Sequence, residues 1–148
     1  MIAIGCDHAG CEMKKAIIDA LSEKGFEFVD MGCNGEKCDY PNIAEAVCGE
    51  VLSGRCEKGI LICGTGIGMS IAANKFSGIR AALCSDSFST KYTRLHNDAN
   101  VMCMGARTLG VGLATELADI FLNTGFEGGR HQKRIDLITE IENKNKNN

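Results

Sequence analysis

Five short apolar runs, each followed by a stretch with helical periodicity, constrain this chain more than any single motif does. "MIAIGC" (Met1 to Cys6) opens the series as a strand, and the segment after it sets Met13, Ile17, Ala20 and Leu21 at helical spacing before Gly25 closes it. Phe26 to Gly32 makes a second strand, Cys33 to Asp39 a polar loop, and Pro41 stands where a second helix can start. "KGILICG" is a third strand and "IGMSIAANKFSG" a short helix ending at Gly78. "IRAALCSD" then leads into a helix over Ser87 to Leu95, and "NVMCMGA" into a helix closed by Gly125. A last amphipathic helix, about 130–144, carries Ile135, Ile138 and Ile141 and has room to reach a partner subunit. The tail "ENKNKNN" is polar enough to fray. Alternation of this kind predicts an α/β fold: one open, mostly parallel sheet with helices on both faces.

A chain of 148 residues fits one domain and buries a core without staples. Its net charge of −3 argues against a general role on nucleic acid or a membrane surface, so any anion site must be local. No apolar run reaches the length of a membrane span, and the N-terminus lacks the pattern of a signal peptide. The expectation is a cytoplasmic protein. Nine cysteines at irregular separations, with no C-x-x-C pair, read mostly as small hydrophobes in a reducing compartment.

In open α/β sheets the ligand sits outside the carboxyl ends of the strands, where strand order reverses. Strand one runs out there into Asp7 and His8, and strand three into Cys63, Gly64, Thr65, Gly66, Ile67 and Gly68. "GTGIG" is not a dinucleotide fingerprint, because Met69 stands where G-x-G-x-x-G needs glycine, and no Walker-type G-K-[ST] follows. Met69 also excludes the arginine of a phosphatase-type thiol loop. The glycines either serve a tight strand-to-helix turn or build a nest of N–H donors for an anion. A thiol beside such a nest loses its proton more readily, which suits Cys63 to act as a base or nucleophile. His96, in the polar "RLHNDANV" between helix four and strand five, is expected at the same carboxyl edge, with Arg107 after strand five as a further cation. Arg130 and Arg134, at i, i+4 beside His131, form either a phosphate clamp or a solvated basic face. Phosphate clamp, histidine, thiol and oxyanion nest, without a metal or nucleotide motif, suit proton transfer alpha to a carbonyl on a sugar phosphate.

"GCDHAG", "DYP", "CGTGIGMSIAANK", "RLHNDANVMCMGAR" and "GGRHQKRI", in this order along nearly the whole chain, resemble the ribose-5-phosphate isomerase B family. The wider family holds galactose-6-phosphate isomerase subunits and enzymes that accept allose phosphates. The resemblance implies a Rossmann-like three-layer αβα sandwich with a five-stranded sheet of order 2-1-3-5-4. It also implies a homodimer, either alone or paired further into a tetramer, and active sites at the dimer interface. Cys63 would then be the base that shuttles a proton between C2 and C1 through a cis-enediolate, supported by Thr65 and the N–H groups of Gly64 to Gly68. Asp7, His8 and Tyr40 would line the sugar pocket. His96 of the neighbouring subunit would open the furanose, with Asn97 and Arg107 beside it. Arg130 and Arg134 would hold the phosphate, helped by His8. One branch of the family replaces the cysteine by a glutamate on the following helix; this chain keeps Cys63 and has Met69 at the helix position. No cofactor is implied. A hexose phosphate as substrate, or a non-catalytic module that binds phosphosugars, are the alternative readings.

Overall fold

A computed structural model describes residues 1–146. The strands are β1 (Ile2–Cys6), β2 (Phe28–Asp30), β3 (Lys58–Cys63), β4 (Ala81–Leu83) and β5 (Val101–Gly105). They alternate with α1 (Cys11–Ser22), α2 (Tyr40–Leu52), α3 (Ile67–Ala73), α4 (Ser87–Asn97) and α5 (Val111–Asn123), and α6 (Arg130–Asn145) follows. All pairings are parallel and the order is β2-β1-β3-β5-β4. The three-layer sandwich and the strand order expected from the resemblance are both present.

Period-two alternation along the central strands divides the core in two. Ile2, Ile4, Ile60, Ile62, Met102 and Met104 face Met13, Ile17 and Leu21 of α1 and Leu117 and Phe121 of α5. Ala3, Leu61, Cys63, Val101 and Cys103 face Ala44, Val47 and Cys48 of α2 and Met69 and Ala73 of α3. The inner strands read as nearly continuous apolar runs because both faces are covered. Full burial of side chains such as Ile17 and Leu21 contributes about 1.5–3 kcal/mol each.

The edge strands are shorter than the sequence predicts. β2 and β4 keep three residues each, since a strand paired on one side loses its ladder at both ends. α3 stops at Ala73 because the Asn74 side chain clamps the turn: its amide donates to the carbonyls of Ser70 and Ala81, and its oxygen accepts the Ala81 N–H. α4 starts at Ser87 because the Asp86 carboxylate accepts the Ser89 N–H at 2.7 Å, a bond that also lowers the Asp86 pKa. The tail expected to fray is instead helical to Asn145, where the Glu142 carboxylate accepts the Gly78 N–H; Asn147 and Asn148 lie outside the described residues. No helix among the described residues is long and apolar enough to cross a membrane.

Candidate active site

β1, β3 and β5 deliver three polar turns side by side at the carboxyl edge of the sheet. Cys6 pairs with Ile62, so Asp7 comes beside Cys63, and the Asp7 N–H donates to the Ile62 carbonyl at 3.0 Å. Cys63 in turn pairs with Gly105, and the next residues stay joined: the Ala106 N–H reaches the Cys63 carbonyl and the Arg107 N–H the Gly64 carbonyl at 2.9 Å. The guanidinium of Arg107 folds over Gly64, with Nη1 3.4 Å from where a Cβ on that glycine would stand.

The Cys63 side chain points into the α2/α3 layer and is 5% exposed. Its sulfur accepts the Gly66 N–H at 3.1 Å, the one direct donor to the thiol in the turn. Gly66 holds φ at +79°, and a Cβ there would lie 2.6 Å from Leu83 Cδ1 and 2.8 Å from the Met104 carbonyl carbon, so only glycine aims this N–H at the sulfur. Thr65 Oγ1 accepts the Ile67 N–H at 3.2 Å. Two donors of the expected oxyanion nest are thus already turned on the side chains of Cys63 and Thr65.

Tyr40, the first residue of α2, closes the crevice from the other side. Its ring lies against Gly68, where a Cβ would meet Tyr40 Cζ at 2.8 Å. Asp7 is nearly buried and its carboxylate accepts the Ala9 N–H at 2.9 Å, a local turn that leaves His8 exposed.

His96, Asn97, Arg130 and Arg134 are elsewhere. A helix that leaves the carboxyl end of a parallel strand must return to the amino end of the next, so the loop between α4 and β5 lies at the opposite edge. Asn100 shows this: its carbonyl accepts the N–H of Gly59, near the start of β3. The expectation that His96 shares the carboxyl edge with Cys63 within one chain is therefore corrected. The five residues of β5 separate the two groups by roughly 15 Å.

At the amino edge the His96 ring stacks on His131, with centroids 4.0 Å apart, and Tyr92 meets His96 edge-on at 4.9 Å. Phe88 stacks on Tyr92 and extends the row, so Phe88, Tyr92 and His96 form a ladder at i, i+4 on α4. That spacing is the sequence signal by which the ladder was detectable. His131 Nε2 lies 3.4 Å from Glu127, whose N–H donates to the Leu95 carbonyl and ties the turn before α6 to α4. Arg130 and Arg134 start α6 beside this pair and are exposed. Asn97 is exposed and its carbonyl accepts from Arg80 Nε. A groove of about 880 Å³ runs from Asn97 along Ile138 and Ile141 of α6, remote from Cys63.

Burial, followed by the charges of His96, Arg130 and Arg134, holds His131 below the usual histidine range against the opposing pull of Glu127. A depressed folded-state value means that the unfolded chain takes up the proton first as pH falls, so stability drops below about pH 6.5 until the folded value is passed. The urea midpoint is expected to fall more steeply from pH 7.5 to 5.5 in the wild type than in His131→Gln. Parallel curves for the two proteins would remove His131 from the cause.

Most of the remaining cysteines behave as the composition suggests. Burial pushes Cys6 up to about 12 and Cys48 and Cys84 to about 11, so they stay neutral thiols in the core. Cys33 and Cys38 differ: they are joined by a disulfide in the loop before α2, a pairing that their C-x4-C spacing did not announce.

The fold and the thiol-bearing edge define a sugar-isomerase-like α/β protein, and comparison with known proteins makes this specific. Residues 2–138 match the family described as Ribose/Galactose Isomerase, and the chain belongs to that family. It is 49% identical over 142 residues to ribose-5-phosphate isomerase B of Escherichia coli, covering 95% of each chain. It superposes on ribose-5-phosphate isomerase B of Clostridium thermocellum with a TM-score of 0.94 at 47% identity, covering 97% of both. The Mycoplasma genitalium enzyme with bound ribulose-5-phosphate gives a TM-score of 0.91 at 41% identity, covering 96% of this chain and 95% of that one.

Proposed function

We propose that this protein interconverts ribose 5-phosphate and ribulose 5-phosphate, with Cys63 as the base. The observation that carries the reading is the Gly66 N–H held on the Cys63 sulfur at the switch point of the sheet, between Asp7 and Arg107. Family membership and the ribulose-5-phosphate bound to the Mycoplasma relative support the substrate class.

The Cys63 thiolate takes the proton from C2 of the open-chain sugar, and the electron pair forms the C1=C2 bond of a cis-enediolate as negative charge moves to O1. Thr65 and the turn from Gly64 to Gly68 steady the two oxygens. The O2 hydroxyl proton passes to O1, the same thiol returns its proton to C1, and O2 becomes the ketone oxygen. Asp7, His8 and Tyr40 orient the hydroxyls, and Arg107 offsets the developing charge.

The edge-to-edge separation of Cys63 and His96 is bridged by a second copy. A partner that brings its amino edge to this carboxyl edge supplies His96 to protonate the ring oxygen, Asn97 beside it, and Arg130 and Arg134 for the phosphate. A two-fold pairing of this kind builds two identical sites. Exposed Leu137, Ile138 and Ile141 on α6 give the partner an apolar face.

The test is turnover of ribose 5-phosphate by the purified protein with a chelator present, beside allose 6-phosphate and galactose 6-phosphate. Rapid conversion of the pentose is expected. Activity confined to a hexose phosphate would move the substrate and keep the chemistry, and binding without turnover of any of the three would leave a phosphosugar-binding module.

A further inference from the structure

The loop that enters the crevice carries a bond that the isomerase chemistry does not use. Cys33 and Cys38 are joined with their Cα atoms 6.2 Å apart, inside the ordinary range for a disulfide. We propose that Cys33 and Cys38 form a reversible thiol–disulfide site, oxidised by a low-molecular-weight disulfide, whose bond sets Tyr40 over the Gly-rich turn.

The two ends of this loop are held very differently. Cys33 is fully buried: its N–H donates to the Cys6 carbonyl at 2.8 Å, and its own carbonyl accepts Lys14 Nζ at 2.8 Å and the Cys11 thiol at 3.3 Å. Residues 34–37 are exposed and Cys38 is half-buried, so its sulfur is within reach of a small molecule. Two residues beyond Cys38, Tyr40 presses on Gly68, and Gly68 lies two residues past the Gly66 N–H that holds the Cys63 sulfur. The bond ties the exposed approach to Tyr40 onto the buried frame around Lys14. Opening it leaves Tyr40 to be ordered by substrate, a cost that falls on binding.

The exchange balances without any group from the site. The Cys38 thiolate attacks one sulfur of the small disulfide, forming a mixed disulfide and expelling one small thiolate. The Cys33 thiolate then attacks the Cys38 sulfur and expels the second, so the protein loses two electrons and two protons and the small disulfide becomes two thiols. Excess small thiol reverses both steps.

The effect on affinity rests on the isomerase reading, but the bond is read separately. The full-length protein is held in glutathione buffers of graded oxidation, its thiols are trapped with iodoacetamide, and peptides are mapped by mass. Cys33 and Cys38 are expected to lose the alkyl group together in oxidising buffer, while KM for ribose 5-phosphate rises about fivefold on reduction. Cys38→Ser should show the higher KM in every buffer. Alkylation of both cysteines in all buffers would overturn the site, and a KM shift that persists in Cys38→Ser would assign the effect to another thiol. The chain has two tyrosines and no tryptophan, so Tyr40 fluorescence in a Tyr92→Phe background reports the coupling without turnover. A redox-dependent change there, with no isomerase activity, would uphold the switch and refute the substrate. No change in fluorescence would refute the coupling to Tyr40.

Discussion

Cys63→Ser is expected to lose about 10²–10⁴ in kcat for ribose 5-phosphate while its affinity stays within about tenfold of the wild type. Serine is close in size to cysteine, and its oxygen can take the Gly66 N–H now received by the sulfur, so the turn keeps its shape. What is lost is the proton acceptor: an alcohol is far too weak an acid to supply the anion at neutral pH. Thermal unfolding checks that the fold survives, and stopped-flow or coupled assays give kcat. Wild-type turnover by this variant would place the base elsewhere on the carboxyl edge, with Asp7 the next candidate.

Mixing two crippled proteins should restore activity. His96→Ala is expected to be slow on the cyclic sugar, and Cys63→Ser to be inactive on any form of it. If each site takes Cys63 from one chain and His96 from the other, a mixed dimer has one site with both defects and one with neither. Random re-pairing after co-refolding makes half of the dimers mixed, so about a quarter of wild-type sites reappear. No recovery would mean that the catalytic groups must meet within a single chain, against the roughly 15 Å that the length of β5 sets between them.

The carboxyl-edge half of the candidate site was legible because it depends on local order. An apolar run ending in Cys63, followed by closely spaced glycines, can only be a strand feeding a tight turn, and Asp7 follows β1 in the same way. The amino-edge half was legible in its residues but not in its place. His96 and Arg130 stand near helix ends, and the edge they occupy depends on tracing the direction of each crossover. Strand lengths failed at β2 and β4 for a different reason, since pairing on one side alone sets where an edge strand stops, and no local pattern records that. Asn74 shows the same limit on a smaller scale, because two of the three bonds that end α3 join it to Ala81, in a strand seven residues on. The Cys33–Cys38 bond depends on how the loop doubles back, which the spacing of two cysteines leaves undetermined.

The proposed division of reacting groups between opposite edges of one sheet has a kinetic consequence. On the proposed pairing a lone chain carries half of two different sites and a whole copy of neither, so turnover per chain becomes a function of how much protein is present. On the proposed pairing, rate against total protein curves upward at high dilution and becomes linear only above the dissociation constant of the pair. Catalytic power then belongs to the encounter of two chains, and the cell can set it by abundance as well as by substrate supply.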